Sequence, residues 1–322
     1  MNILVFGKDG QLGKAFKSVF DVSKLGESHC ITYVGRAECD LANSNTVTKL
    51  LDQIKPSLII NAAAYTAVDK AETEVDLAYA INAKAPELMA LYAKHRRATF
   101  LHYSTDYVFD GSKKTAYIES DVRNPLAIYG KSKAAGEEAI EAAFEDSNSS
   151  AGRYAIFRTS WVYGEGGNFI RTILRLAKER ETLKVIADQY GAPTSATWLA
   201  EVSLALALNE QHQLKSFPSG IYHAVPQGET TWHALAYYAV QVAIEAGAGL
   251  KLRPEAITAI TATEYPLPAP RPMNSRMARG VLEALTNSLG GLSIMTKSQL
   301  LEQSWESQVA AYVQDLVHRK LI

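Results

Sequence analysis

The sequence predicts an α/β protein, built on a parallel sheet with helices on both faces and completed by a smaller, mainly C-terminal domain. Three observations carry this. Short apolar runs alternate with helical stretches through the first half of the chain. A glycine-rich turn, Gly7-Lys8-Asp9-Gly10-Gln11-Leu12-Gly13, joins the first run to the first helix. A Tyr-x-x-x-Lys pair, Tyr129 and Lys133, opens a later helix.

Each element follows from its local pattern. Ile3 to Phe6 is continuously apolar and ends at Gly7, which suits a strand buried on both faces. Leu12 to Phe20 reads as a helix, Ile31 to Val34 as the second strand, and Val47 to Ile54 as the next helix. Leu58-Ile59-Ile60 is a third strand that runs into Asn61-Ala62-Ala63-Ala64. Ala78 to Lys94 is helical in composition, Thr99 to Tyr103 is a fourth strand, Tyr129 to Phe144 a helix, and Ala155 to Arg158 a fifth strand. Asp146 to Ser150 is a polar surface loop. This alternation is that of a Rossmann-type, doubly wound parallel sheet.

After Trp161 the pattern loosens. Phe169 to Arg180 is helical, and Leu183 to Ile186 and Tyr222 to Val225 read as two more strands added to the same sheet. Helix returns from Trp232. Pro266, Pro268, Pro270 and Pro272 exclude regular helix and central strand from Tyr265 to Pro272, so a stiff, extended loop over a cleft is expected. Ser304 to Leu321 is an amphipathic helix.

Bulk properties narrow the function classes. A chain of 322 residues suits one large domain plus a smaller one. A net charge of -1 gives no electrostatic case for nucleic acid or an anionic membrane. No apolar run approaches the ~20 residues that span a bilayer, and the first residues lack the pattern of a signal peptide. Cys30 and Cys39 show no metal-type spacing and make no disulfide framework, so reduced thiols in a cytoplasmic protein are expected. The seven histidines offer no metal-ligand spacing; His102 is read as structural.

The glycine turn follows a strand and opens a helix, the context of a dinucleotide fingerprint. Gly7, Gly10 and Gly13, with Gln11 and Leu12, would let the backbone approach a pyrophosphate at the helix N-terminus. A phosphate-binding P-loop fails, because Lys8 stands where its first glycine belongs and Ala15 replaces its hydroxyl. The second strand ends Val34-Gly35-Arg36 with no acid at its tip, although Glu38 is close. Arginine there favours NADPH, with NADH still open. Asp40 and Leu41 are placed at the adenine, and Ala62, Ala63 and Ala64 are small enough for the cofactor to pass close. Residues 1–164, completed by strands within 183–230, are the expected NADP-binding core. Residues 165–182 and 231–322 are the expected substrate-binding domain.

Free tyrosine ionises near pH ~10. Lys133 lies one helical turn from Tyr129, so its charge should lower the phenol's pKa and make Tyr129 a proton donor to a reduced carbonyl. Thr105 ends the fourth strand, where ligands of open α/β sheets gather, and its hydroxyl is placed to bond the substrate carbonyl.

These motifs resemble the extended short-chain dehydrogenase/reductase family, and within it the reductases of nucleotide-linked deoxysugars. The likeness rests on Asn2 to Gly13, Asn61 to Glu72, Ser104 to Gly111, Tyr129 to Lys133, Arg158 to Tyr163 and Asp188 to Thr194; it is dense over roughly the first 200 residues. It implies a nucleotide-sugar substrate, dTDP-4-dehydro-β-L-rhamnose, reduced by NADPH at its C4 ketone to dTDP-β-L-rhamnose. It implies Tyr129 as proton donor, Lys133 on the nicotinamide ribose and Thr105 on the carbonyl. Thr66, Val68, Asp106 and Trp161 would line the substrate pocket, and Arg271 would meet the diphosphate, where a charged fork is well suited. Some family members are magnesium-linked dimers through a glutamate just after the glycine turn. This chain reads Gly13-Lys14-Ala15-Phe16 there, so no metal is expected, and monomer and homodimer both stay open. Two other readings stay open: a nucleotide-sugar epimerase or dehydratase of the same superfamily, and a non-catalytic subunit of the kind that partners methionine adenosyltransferase.

Overall fold

The computed structural model describes residues 1–145, 152–288 and 300–322. The polar stretch Asp146 to Ser150 lies outside the described residues. The first half alternates as β1 (Asn2–Phe6), α1 (Gln11–Val22), β2 (Cys30–Val34), α2 (Ser44–Ile54) and β3 (Leu58–Asn61). It continues as α3 (Ala85–Arg96), β4 (Thr99–Thr105), α4 (Ile128–Phe144) and β5 (Arg153–Thr159). The second half holds α5 (Phe169–Glu179), β6 (Leu183–Ile186), α6 (Ala196–Ala207), β7 (Gly220–His223), α7 (Trp232–Glu245), β8 (Ile257–Ile260), α8 (Gly280–Ser288) and α9 (Trp305–His318).

Six strands form the central sheet in the order β2-β1-β3-β4-β5-β7, all parallel. Every residue of β3 and β4 is buried, as expected of strands covered on both faces, whereas edge strand β2 is partly exposed. One apolar core covers one face, with Phe16 and Phe20 of α1 and Trp198 and Leu199 of α6. A second covers the other, with Leu51 of α2, Met89 of α3 and Ile140 of α4. The strand order reverses between β1 and β3, so a crevice opens at their carboxyl ends.

Leu183 to Ile186 departs from expectation. It does not extend the central sheet but pairs in parallel with β8, from Leu183 against Ile257 to Ile186 against Ile260. Its sequence alternates, with Leu183 and Val185 buried and Lys184 exposed, which is the pattern of a ribbon covered on one face. The covered face joins a third core with Ile170 and Leu174 of α5, Leu235 and Val240 of α7, and Val309 and Val313 of α9. Tyr222, by contrast, does sit in the central sheet, where β7 pairs with β5. Residues 265–272 form neither helix nor ladder strand. Asn43, Asn168, Ser195, Thr231 and Ser304 cap α2, α5, α6, α7 and α9 with side-chain acceptors, each satisfying an open backbone N–H.

A buried ion cluster ties α4 to the sheet. Glu137 of α4 is fully buried and accepts from Arg158 Nε and Nη2 of β5, at 3.0 and 2.7 Å, and from Arg123 Nε at 2.6 Å. The arginines outweigh burial and hold its carboxyl below the usual range. Glu137→Gln leaves the Arg158 charge buried without its partner, so urea unfolding should show a loss of about 3–5 kcal/mol at pH 7. Because the folded pKa is depressed, that contribution is complete above the unfolded value of about 4.3. The gap between the variant and the parent should therefore narrow as pH falls below it.

Candidate active site

The glycine turn is set by close backbone packing. Gly7 has φ +85°, and a Cβ there would lie 2.7 Å from Ala63 N and 2.8 Å from the Ala62 carbonyl. A Cβ on Gly13 would lie 2.1 Å from Gly7 O. Gly10 is different: its Cβ would meet only Gly7 O, at 3.4 Å, so it faces open space at the start of α1. No side chain caps α1. Its first N–H groups therefore remain available at the positive end of the helix dipole, in the crevice between β1 and β3. This cradle fits the pyrophosphate of a dinucleotide.

The tip of β2 bears on cofactor choice. Glu38 accepts from Gly35 N at 2.8 Å and pairs with Lys8. Glu38 is thus engaged, Asp9 Oδ2 packs against Gly35, and Arg36 is exposed beside them. Asp40 Oδ1 accepts from Ala42 N at 3.1 Å, and Leu41 packs into the core beside α2, so these two residues shape the wall more than they present free groups. Ala62, Ala63 and Ala64 are half-buried at the end of β3.

The structure brings Thr105 and Tyr129 together at the end of β4. Thr105 Oγ1 donates to Asp106 Oδ1 at 2.9 Å and accepts from Tyr107 N at 3.2 Å. Burial pushes the Tyr129 phenol up to about 12, and a hydrogen bond with Thr105 opposes this. The expected lowering by Lys133 is not found. Lys133 Nζ is turned beneath the sheet end, donating to Tyr103 O at 2.5 Å and lying 3.1 Å from His102 Nε2. Burial lowers the lysine itself to about 8, so its charge is spent on these partners rather than on the phenol. Asp106 is also buried; desolvation pushes its carboxyl up to about 6, opposed by hydrogen bonds from Ser275 and Thr105.

Other residues close the site from the second half. Trp161 has φ +49° and stacks on Trp232 of α7, with centroids 3.6 Å apart. Gly191 permits this, because a Cβ there would lie 2.6 Å from the Trp161 ring. A cavity of about 1080 Å³ is lined by Tyr107, Phe169, Gln189, Trp232, Tyr265 and Arg271, among others. Tyr107 also meets the Tyr129 ring edge-on, so this cavity adjoins the Thr105–Tyr129 pair. Arg271 lies on the cavity wall but is paired with Asp69 Oδ2 at 2.9 Å. Thr66 is exposed and Val68 half-buried, just before Asp69.

Sequence reasoning missed Asn82. It sits fully buried in a π-helical turn, Ala80–Lys84, accepts from Tyr65 N at 2.8 Å, and donates to Tyr65 O and Ser132 Oγ, each at 3.0 Å. Ser132 in turn donates to Tyr129 O. Asn82 thereby ties the loop after β3 to the helix that carries the tyrosine. The only sequence signal was an asparagine within an otherwise apolar helical face.

A dinucleotide cradle at a sheet switch point, with a Thr–Tyr–Lys set on the adjacent strand and helix, defines an NAD(P)-dependent oxidoreductase of the short-chain dehydrogenase/reductase type. The family is narrower. The model of the RmlD substrate binding domain matches residues 1–316, and the chain belongs to that family. It is 43% identical over 282 residues to dTDP-4-dehydrorhamnose reductase from Salmonella typhimurium, covering 86% of this chain and 89% of that protein. The Escherichia coli K12 enzyme of the same name is 43% identical over 286 residues, with the same coverage. Among solved structures, dTDP-4-dehydrorhamnose reductase from Clostridium acetobutylicum superposes with TM-score 0.82 at 33% identity, covering 99% of this chain and all of that one. The Bacillus anthracis enzyme, solved in complex with NADP, gives TM-score 0.78 at 30% identity, covering 98% and 99%.

Gly13→Ala tests the cradle. The added methyl meets Gly7 O, so β1 and α1 must part. Fluorescence titration should show dinucleotide affinity falling by at least about tenfold, a cost of only about 1.4 kcal/mol, while the protein stays folded.

Proposed function

We propose that this protein reduces the C4 ketone of dTDP-4-dehydro-β-L-rhamnose to dTDP-β-L-rhamnose with NADPH. The observation that carries the reading is the Thr105–Tyr129 pair beside a large cavity, in a chain 43% identical over most of its length to dTDP-4-dehydrorhamnose reductases. When bound, the cofactor supplies the hydride. Gly7, Gly10, Gln11, Leu12 and Gly13 would hold its pyrophosphate, and Arg36 its additional phosphate.

The protein's own part is proton delivery and orientation. Tyr129, with its pKa raised, keeps its proton through the neutral range and gives it to the developing C4 alkoxide. Thr105 has one hydroxyl hydrogen, now on Asp106. Redirected to the carbonyl, it would hold the oxygen against Tyr129. The Asp106 carboxylate, released from Thr105, would be an acceptor suited to a sugar hydroxyl. Lys133 would hold the nicotinamide ribose once it leaves Tyr103 O. We assign Trp161, Thr66 and Val68 to the sugar-nucleotide pocket. Arg271 would meet the diphosphate by exchanging its bond to Asp69. The β6–β8 ribbon with α5, α7 and α9 would form the substrate-binding unit.

Absorbance at 340 nm, with NADPH and enzymatically generated dTDP-4-dehydro-β-L-rhamnose, tests the reaction. Tyr129→Phe should cut kcat by about 10²- to 10⁴-fold and leave NADPH binding unchanged. Near-normal turnover would remove Tyr129 as the acid. Arg36→Ala removes a charge-assisted contact, so the NADPH Kd should rise by roughly ten- to hundredfold, from a loss of about 1.5–3 kcal/mol. The NADH Kd should not move.

A further inference from the structure

His102 lies in the middle of β4 and is fully buried. Its ring is held on both sides. Asn61 Nδ2 at the end of β3 is 3.1 Å from Nδ1, and Lys133 Nζ of α4 is 3.1 Å from Nε2. Three elements therefore meet on one imidazole. Burial and the Lys133 charge push its pKa well down, so the ring is neutral, with one N–H and one lone pair.

Two arrangements are consistent with these contacts. With Lys133 charged, Nε2 accepts from the ammonium and the ring hydrogen sits on Nδ1. Asn61 must then turn its amide oxygen towards the ring and release Ala63 N, from which that oxygen accepts at 3.3 Å. With Lys133 neutral, Nε2–H donates to the amine, Nδ1 accepts from Asn61, and Ala63 N keeps its partner. Lys133 has the lowered pKa that makes both states accessible near neutrality. The other titratable groups around the pair are Glu137, one turn along α4 and paired to two arginines, and Tyr129 and Asp106 at the end of β4.

We propose that His102 is a positioning residue for Lys133: it stations the lysine against β4 beside the Tyr103 carbonyl, and its tautomer links the lysine's charge to Asn61 and the Ala63 N–H on the cofactor wall. This rests on Lys133 being a working group of the proposed reductase.

The test compares His102→Phe, His102→Gln and Lys133→Met by kcat, NADPH Kd and the pH profile of kcat. In His102→Phe the buried ammonium loses an acceptor, so the charged form of Lys133 is disfavoured. The variant's kcat should fall by about tenfold, as loss of one hydrogen bond to a charged group implies. The alkaline limb of its profile, set by loss of the Lys133 charge, should move down by about one pH unit. In His102→Gln an amide oxygen can accept from Lys133, so kcat should recover most of the loss. The proposal is overturned if Lys133→Met is inactive while both His102 variants match the parent in rate and pH limb. It is also overturned if Gln and Phe are equally impaired with an unmoved limb, which would mark a packing role. If Lys133→Met turns over normally, the reading of Lys133 fails and the proposal falls with it.

Discussion

Three pieces of backbone converge on Gly7, and the site depends on that convergence. The peptide after β3 presses on its Cα, and Gly13 presses on its carbonyl, at distances that leave no room for a methyl group. The contacts fix the start of α1 against the ends of β1 and β3. They put open helix N–H groups in the crevice that the strand order creates between β1 and β3. Larger residues here would splay the sheet at the point where a dinucleotide must lie close to backbone.

The other half of the site is held by buried polar groups rather than by shape. Tyr129 and Lys133 ride on α4, and α4 is fixed at three levels: Ser132 to Asn82, Lys133 to His102 and Tyr103, and Glu137 to Arg158. Each group is removed from water, so losing its partner costs more than the bond itself is worth. The helix is thereby locked in rotation as well as position, which apolar contacts alone would do less strictly. Thr105 and Asp106 share a hydrogen bond at the end of β4, beside Tyr129.

Much of this was legible in the sequence, because its signals are local. A glycine turn between strand and helix, continuous apolar strands and a Tyr-x-x-x-Lys pair each occupy a few consecutive residues. What was not legible depends on distant partners. Leu183 to Ile186 reads as a strand, but its neighbour, Ile257 to Ile260, lies far along the chain, and only the exposed Lys184 hinted at a one-sided ribbon. The lysine was expected to act on the tyrosine because helical spacing places them on one face. Spacing cannot show that His102 and the Tyr103 carbonyl hold its ammonium from below. Arg271 was expected at a diphosphate, and its present partner is Asp69.

The proline-rich segment carries a consequence for how the molecule is made. Its bonds to the loop after β3, Ala269 N to Asp69 Oδ1 and Arg271 Nη2 to Asp69 Oδ2, join residues 200 and 202 positions apart. Contacts that close so long a loop carry a large entropic cost and tend to form late. A chain emerging from the ribosome would therefore display the whole central sheet, with its glycine cradle, before residues 258–271, which complete the cavity wall, had been synthesised. Assembly would thus run in a fixed sequence, cradle first and the proline-rich part of the wall last.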